Sequence, residues 1–257
     1  SHTDFKFGFY TILLGECKCE ACRYGHQYYD FSDGTLICLT PGESISMKEN
    51  NKEFPSKGWI LAFHPDLICG TPLGLNIHNY TFFSYCPEEA LHLSLREKQI
   101  ILEFLERIRQ ELERCIDRHS KKIISKYIEL LLDYCTRFYE RQFITRSEVN
   151  KKVFREFNHL LDNHFNVKVS LSTDVLSDEY CANLLHLSPA YFNDLLKYEI
   201  GKEFKEYIQF KRFEIAKGWL VNTDKTLGQI AQELGFSNSQ YFSRLFKKIT
   251  GCSPNEF

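Results

Sequence analysis

The sequence predicts an α+β protein in which a strand-rich N-terminal region is followed by a helical pair and an all-α C-terminal region. Three observations predict this order. Short runs rich in β-branched and aromatic residues occur near the N-terminus. Apolar residues then recur with the helical period of 3.6 residues. Near the C-terminus, an arrangement of helix, tight turn and helix occurs twice.

Length and composition are those of an ordinary folded protein with more than one domain. The 257 residues include 43% hydrophobic, 26% charged and 15% aromatic residues, which argues against disorder. A run of about 18 apolar residues is absent, so no membrane partner is expected. The sequence also lacks a phosphate-binding loop, a nucleophile elbow and the zinc-protease motif. We therefore expect a protein that is not an enzyme.

The ten cysteines do not require a disulfide framework, because the chain is long and rich in apolar residues. Reduced thiols and a cytoplasmic location are therefore expected. Cys17, Cys19, Cys22 and His26 form one dense group. Only Cys19 and Cys22 have the C-x2-C spacing of zinc sites, and no second pair follows. Structural thiols are the favoured interpretation, and metal or redox sensing is the alternative.

The N-terminal region has a strand-like pattern from residue 5 to about residue 85. Turn signals such as Asp33-Gly34, Pro41-Gly42 and Cys69-Gly70 separate its strand candidates. These candidates are residues 7–14, 27–31, 35–40 and 59–63. Strands at this spacing predict a small barrel or sandwich, which we place in a first domain of residues 1–93.

Two amphipathic helices follow in residues 94–146. Ser94 and Glu97 form a capping box ahead of a helix over residues 95–115, and a second helix is predicted over residues 121–143. Their shared apolar stripe is either intradomain core or a dimer seam. It consists of Ile101, Leu105, Ile124 and Ile128.

The third region, residues 147–257, contains the repeated arrangement. Its first unit comprises a helix over residues 178–185 and a second helix that opens at Pro189 and stops at Gly201. A connecting helix spans residues 203–221. In the second unit, Thr226 caps the first helix and the second runs over residues 238–249. The turn residues Ser188 and Ser237 are 49 positions apart.

The spacing of the two units predicts binding to double-stranded DNA. Two recognition helices on one face of B-DNA enter major grooves about 34 Å apart. The connecting helix, at 1.5 Å per residue, is roughly 28 Å long. Charge does not contribute, since residues 151–257 carry 14 basic and 13 acidic side chains and the whole chain has a net charge of -2. Local arrangement must therefore provide the attraction.

Residues 228–248 and 250–254 closely resemble the signature of the AraC/XylS transcription regulators. The family's first half is matched by Leu187-Ser188-Pro189, Gly201, Tyr207-Ile208, Lys211-Arg212 and Ala216. The upstream part is similar to cupin-like sensor barrels with a helical pair, of a Bacteroidetes-type subgroup. This second resemblance is carried by residues 58–59, 63–67, 70–74 and 90–94.

The resemblance implies a ligand-responsive activator that acts as a homodimer on double-stranded DNA and RNA polymerase. A small-molecule effector would bind in the N-terminal barrel, and no cofactor is implied. One alternative is a constitutive DNA-binding dimer whose barrel binds nothing. Another is a cupin-type enzyme with an accessory DNA domain, for which His26, His64 and His78 are metal candidates. Because no H-x-H pair is present, no metal is expected.

Motif position assigns DNA contacts to the exposed face of each second helix. In the second unit, Arg244 suits guanine, Gln240 suits adenine and Lys247 is placed for phosphate. The complete set there is Ser239, Gln240, Ser243, Arg244 and Lys247.

The corresponding set in the first unit is Ala190, Asn193, Asp194 and Lys197. Asn193 suits adenine and Ala190 a thymine methyl, whereas the Asp194 carboxylate would repel phosphate. Tyr191 and Tyr241, near the helix starts, are equally compatible with packing and with DNA contact.

Overall fold

The computed structural model describes residues 3–6, 8–15, 34–47, 58–167 and 176–257. It divides into two units. One unit consists of residues 1–151 together with 186–195, and the other consists of residues 152–185 together with 196–257. The predicted strand over residues 27–31 and the Cys17, Cys19, Cys22 and His26 group lie outside the described residues. No described helix is long and apolar enough to cross a membrane.

The structural unit of residues 1–151 and 186–195 contains an antiparallel four-stranded sheet. Its central strands are β2 (Tyr10–Gly15) and β3 (Gly34–Leu39), whose nearly continuous burial reflects apolar side chains on both faces. Outside them lie β5 (Gly58–Phe63) and β6 (Leu91–Leu93), in the order β5-β2-β3-β6. The register places Leu13 opposite Ile37 and Ile60.

The strand prediction is confirmed for β2, β3 and β5, but a closed barrel is not. Two further strands, β1 (Thr3–Lys6) and β4 (Ser44–Met47), form a separate antiparallel ladder and, in the part of the chain that is described, pair only with each other. Within the described ranges the four-stranded sheet ends at β5 and at β6. The cupin-like barrel expected for residues 1–93 is therefore not confirmed, and a small open antiparallel sheet stands in its place.

Between β5 and β6 the chain is helical, so the strand-like interpretation is wrong there. The segments are α1 (Pro65–Ile68), α2 (Pro72–Asn76) and three short 3-10 helices, Ile77–Asn79, Thr81–Ser84 and Pro87–Glu89. Three of these segments begin with proline, which fixes φ for a first helical turn and lacks the amide hydrogen that a strand ladder needs.

The helical pair forms as predicted, with slightly different ends. It consists of α3 (Leu95–Leu112), with the Ser94–Glu97 capping box in place, and α4 (Ser120–Thr145), which packs against it. The predicted apolar stripe is buried within the single chain: Ile101, Leu105, Ile124 and Ile128. Of the two interpretations offered for the stripe, intradomain core is the observed one.

The remaining helices include one that the sequence pattern had not singled out, α5 (Ser147–Val167). Those of the first repeat are α6 (Asp178–Leu184) and α7 (Pro189–Ile200). The connecting helix is α8 (Phe204–Asn222), and the second repeat contains α9 (Leu227–Glu233) and α10 (Ser239–Thr250). The all-α prediction for the C-terminal region is confirmed.

Candidate DNA interface

The first helix and the turn of the second repeat are held in shape by local capping and by a left-handed residue. Thr226 accepts a hydrogen bond from the backbone N–H of Gln229, and the Gln229 side chain accepts one from Thr226. Helix α9 then ends at a turn in which Gly235 has φ +76°. The N–H of Phe236 donates to the carbonyl of Ala231 at 2.8 Å. A side chain at Gly235 would be strained at this φ, and glycine avoids that strain.

An aromatic cluster beneath the second repeat fixes α9 and α10 on α8. Phe213 of α8 lies within 6.0 Å, centroid to centroid, of the rings of Phe236, Phe242 and Phe246. The buried members of the cluster are Phe213, Ala216, Ile230, Ala231, Leu234, Phe236, Phe242 and Phe246. Because these side chains point inward, the opposite face of α10 is left for solvent.

Helix α10 is capped at both ends and presents a polar face. The Asn238 side chain accepts from the N–H of Tyr241 at 2.7 Å, and Gly251 ends the helix with φ +88°. Gln240, Arg244 and Lys247 are exposed along this helix. They follow the i, i+4, i+7 spacing of a single helix face. Ser239 and Ser243 are half-buried beside them.

Two cations on this face have defined surroundings. The guanidinium carbon of Arg244 lies 5.6 Å from the ring centroid of Tyr241, a cation–π geometry that orients the side chain along the helix. Backbone and side-chain hydrogen bonds from Ser253, together with the charge of Lys247, hold the pKa of the Glu256 carboxyl below its ordinary value. Lys247 lies in the last turn of α10, at the edge of the predicted DNA-reading face.

The first recognition helix, α7, begins with a cap that a distant residue supports. Ser188 caps it by accepting from the N–H of Tyr191 at 3.2 Å. The same Ser188 donates from its Oγ to Glu89 Oε2 at 2.5 Å and from its N–H to Glu89 Oε1 at 2.6 Å. Both residues are buried, with exposed fractions of 2% for Glu89 and 4% for Ser188.

The predicted contact residues of α7 are less available than those of α10. Ala190 and Asn193 are half-buried, and Asp194 Oδ2 accepts a hydrogen bond from Tyr85 Oη at 2.8 Å. Burial, and then the Asp194 charge, raise the pKa of Tyr85, so this phenol keeps its proton and donates. Lys197 is exposed and pairs with Glu203 at 3.1 Å.

The two repeats can be aligned residue by residue through their helices. Helices α6 and α9 have equal length and are 49 positions apart, as are the left-handed turn residues His186 and Gly235. Helices α7 and α10 also have equal length but are 50 positions apart, because the second turn is one residue longer. The predicted offset of 49 therefore holds for the first helices only, and Asp194 corresponds to Arg244.

The alignment separates the two tyrosines that the sequence left undecided. Tyr191 and Tyr241 occupy the same helix position, yet 1% of Tyr191 and 42% of Tyr241 is exposed. Tyr191 packs against the rings of Tyr85 at 5.1 Å and Phe143 at 5.3 Å. Tyr85 and Glu89 were not foreseen as site residues. They lie about a hundred positions from α7, and the sequence contains no local signal that would connect them.

The metal candidates do not assemble in the described part of the chain. His64 instead caps α1 through Nδ1, which accepts from the N–H of Asp66 at 3.2 Å. Among the described residues no group of three or more His, Cys, Asp or Glu could hold a metal ion. The described cysteines are free thiols, of which Cys38, Cys135 and Cys181 are buried.

Comparison with known proteins identifies the class to which the C-terminal helices belong. Residues 181–257 match the family model described as "Helix-turn-helix domain". The chain is 31% identical to the arabinose operon regulatory protein of Salmonella typhimurium over 100 residues, which are 39% of this chain and 32% of that protein. Residues 181–257 thus form a helix-turn-helix domain of the AraC type, and the resemblance predicted from the signature is confirmed.

Two further relatives are described only as transcriptional regulators of the helix-turn-helix type. The chain is 33% identical to the uncharacterized HTH-type transcriptional regulator YtdP of Bacillus subtilis over 110 residues, 43% of this chain and 14% of YtdP. It is 24% identical to the uncharacterized HTH-type transcriptional regulator YijO of Escherichia coli over 224 residues, 87% of this chain and 75% of YijO. The chain therefore spans a small part of YtdP and most of YijO.

Proposed function

We propose that this protein is a DNA-binding transcription regulator whose second helix-turn-helix reads bases in the major groove. The observation that carries the proposal is the exposed polar face of α10, with Gln240, Arg244 and Lys247 in line on a helix capped at both ends. The aromatic cluster around Phe213 supports it, because a rigid base is needed to present side chains to DNA.

Each side chain on this face has a chemical role in the proposal. Arg244 donates two hydrogen bonds to O6 and N7 of a guanine, and Gln240 forms the corresponding pair with an adenine. Lys247 neutralises a phosphate and contributes to the salt dependence of binding. Ser239 and Ser243, which are half-buried, approach the sugar–phosphate backbone at the edges of the same face.

The proposal extends to regulation. The family resemblance supports a small-molecule effector bound by the N-terminal region, a homodimer, contact with RNA polymerase, and activation as the outcome. An effector that binds one conformation of the protein better than another shifts the population toward that conformation. A dimer places two copies of α10 on DNA, which fits operators with two related half-sites.

The test of base reading is a comparison of two arginines. Duplexes that bind the full chain are first selected from a random-sequence library, and the affinity for the selected site is then measured by gel shift. Arg244→Ala should lose about 1–3 kcal/mol of specific binding free energy. Arg107→Ala, which removes an exposed arginine from α3, is the matched control and should bind like the wild type. Equal affinities of both variants for the selected site would refute the assignment of Arg244.

A further inference from the structure

Residues 85–89, which we name the covering segment, contact the first recognition helix. Each end of the segment makes one of these contacts. At one end the Glu89 carboxylate binds Ser188, the cap of α7. At the other end the Tyr85 hydroxyl binds Asp194. We infer that the covering segment masks the DNA-reading face of α7, so that the first repeat reads bases only after the segment is displaced. The inference rests on the proposed function and adds a mode of regulation to it.

The contact at Glu89 is specific because its carboxylate accepts both hydrogen-bond donors of a single residue, Ser188. Ser188 has two donors, its N–H and its Oγ–H, and Glu89 accepts both. Glu89 Oε2 also accepts from the N–H of Cys86 at 2.8 Å, which fixes the carboxylate on its own 3-10 helix. A buried carboxylate needs several donors to offset its lost hydration. Withdrawal of the covering segment would therefore leave both Glu89 and Ser188 to be rehydrated together.

The contact at Tyr85 lies on the face that motif position assigns to DNA. Asp194 corresponds to Arg244, the exposed base-reading candidate of α10, but it is occupied by the Tyr85 hydroxyl. The Tyr85 ring stacks edge-on against Tyr191, whose counterpart Tyr241 is exposed. The same two helix positions are thus covered in one repeat and open in the other. DNA and the covering segment compete for this part of α7.

The covering segment is itself anchored to the helical pair, which gives a route by which the N-terminal region controls it. The Tyr85 ring packs edge-on against Tyr139 of α4 at 5.2 Å. Just beyond Glu89, the buried side chain of Gln142 in α4 donates to the carbonyl of Ala90 and accepts from the N–H of His92. A shift of α4 therefore carries both ends of the covering segment with it.

The segment can be released by substitutions that leave its packing intact. Tyr85→Phe removes the hydroxyl and keeps the ring, and Glu89→Gln keeps the shape but replaces one acceptor oxygen with a donor. Tyr80→Phe is the matched control. Tyr80 donates to Asp133 at 2.8 Å, so this variant loses the same kind of hydrogen bond five positions earlier without touching α7.

The first experiment compares the sequences that the full-length proteins select from a random duplex library. The wild type and Tyr80→Phe should each select only blocks read by α10, one for each bound copy of the chain. The Tyr85→Phe/Glu89→Gln double variant should select a second, different block about 10 base pairs from each of these and bind such DNA on the order of tenfold more tightly than the wild type. Identical motifs from the wild type and the double variant would overturn the inference. Failure of all three proteins to enrich any sequence would instead refute the proposed function, and the inference with it.

A second experiment needs no DNA. Hydrogen exchange is measured at the amides of Tyr191 and Phe192, which donate to the Oγ and the carbonyl of Ser188. Their exchange should be at least about tenfold faster in the double variant than in Tyr80→Phe, since each charge-assisted hydrogen bond lost shifts an opening equilibrium by that order. Equal protection in the two variants would show that the covering segment does not hold α7, and the inference would be wrong.

Discussion

Glu89 and Ser188, 99 positions apart in the chain, are joined by two hydrogen bonds of 2.6 and 2.5 Å at the start of the first recognition helix. Burial raises the pKa of the Glu89 carboxyl, and the hydrogen bonds from Ser188 and Cys86 oppose that rise without cancelling it. The charge of Glu88 acts in the same direction as burial. The folded protein therefore holds the Glu89 proton more tightly than the unfolded chain does.

This shift fixes the sign of a pH dependence. An acid whose pKa is raised by folding contributes stability that falls as pH increases through the interval between the unfolded and folded pKa values. We expect Glu89→Gln to cost about 1–3 kcal/mol, because its amide group turns one acceptor contact into a clash between donors. The cost should be largest at and below pH 4.5, the ordinary pKa of glutamate, and should shrink toward neutrality.

The free energy of unfolding can be followed by tryptophan fluorescence, because Trp59 lies in one structural unit and Trp219 in the other. Urea unfolding of the wild type and Glu89→Gln, both in a Trp219→Phe background, reports the unit that contains Glu89. Tyr80→Phe serves as the control and should show no such trend with pH. A cost of Glu89→Gln that grows with pH would mean that the hydrogen bonds outweigh burial and that folding lowers the pKa of Glu89.

The turn of the second repeat supplies a matched pair of glycines. Gly235 has φ +76°, whereas Gly228 lies within α9 in helical backbone, where an added Cβ would meet only the Thr226 hydroxyl in ordinary contact at 3.9 Å. Gly235→Ala should destabilise the structural unit of residues 152–185 and 196–257 by about 1–2 kcal/mol, since a Cβ is strained at positive φ. Gly228→Ala should stabilise it by up to about 1 kcal/mol. Thermal unfolding followed by Trp219 fluorescence measures both, and the same sign for the two variants would contradict the argument.

Local signals in the sequence were sufficient for most of the second repeat. Thr226 with Gln229, the turn at Gly235 and the stop at Gly251 all act within a few residues of the helix ends that they define. The apolar period of this segment is sufficient to place Phe242 and Phe246 inward and Gln240 and Arg244 outward, as the structure has them. Features of this kind can be predicted because sequence neighbours determine them.

The features that the sequence did not disclose depend on distant contacts. Asp194 was assigned a place on the DNA-reading face by analogy of position, but the ring and hydroxyl of Tyr85 occupy that place. The strand-like composition of residues 65–85 was overridden by prolines and helix caps, which break a ladder regardless of β propensity. The single-chain pattern likewise could not tell whether the stripe containing Ile101 was core or interface, because burial depends on what the chain brings opposite to it.

The aromatic cluster gives a prediction for stability. Phe213 is buried, and its ring contacts three other phenylalanines. Phe213→Ala should cost the second unit about 3–5 kcal/mol, since it removes buried surface and leaves a cavity. Val221→Ala on the same helix, at a position that is 67% exposed, should cost no more than about 0.5 kcal/mol. Urea unfolding in a Trp59→Phe background follows the unit through Trp219, which packs against the cluster.

Lys247 provides a prediction that separates charge from base reading. Its position at the end of the polar face of α10 places it for phosphate contact, so Lys247→Ala should weaken binding to the selected site and to unrelated duplexes by a similar factor. Each phosphate contact releases condensed counterions. The slope of log affinity against log salt concentration should therefore become shallower by about one. Lys121→Ala, an exposed lysine of α4, is the control and should leave the slope unchanged. If Lys247→Ala instead altered the preferred base at one position and kept the salt slope, Lys247 would be reading bases, and the division of roles along α10 would have to be reversed.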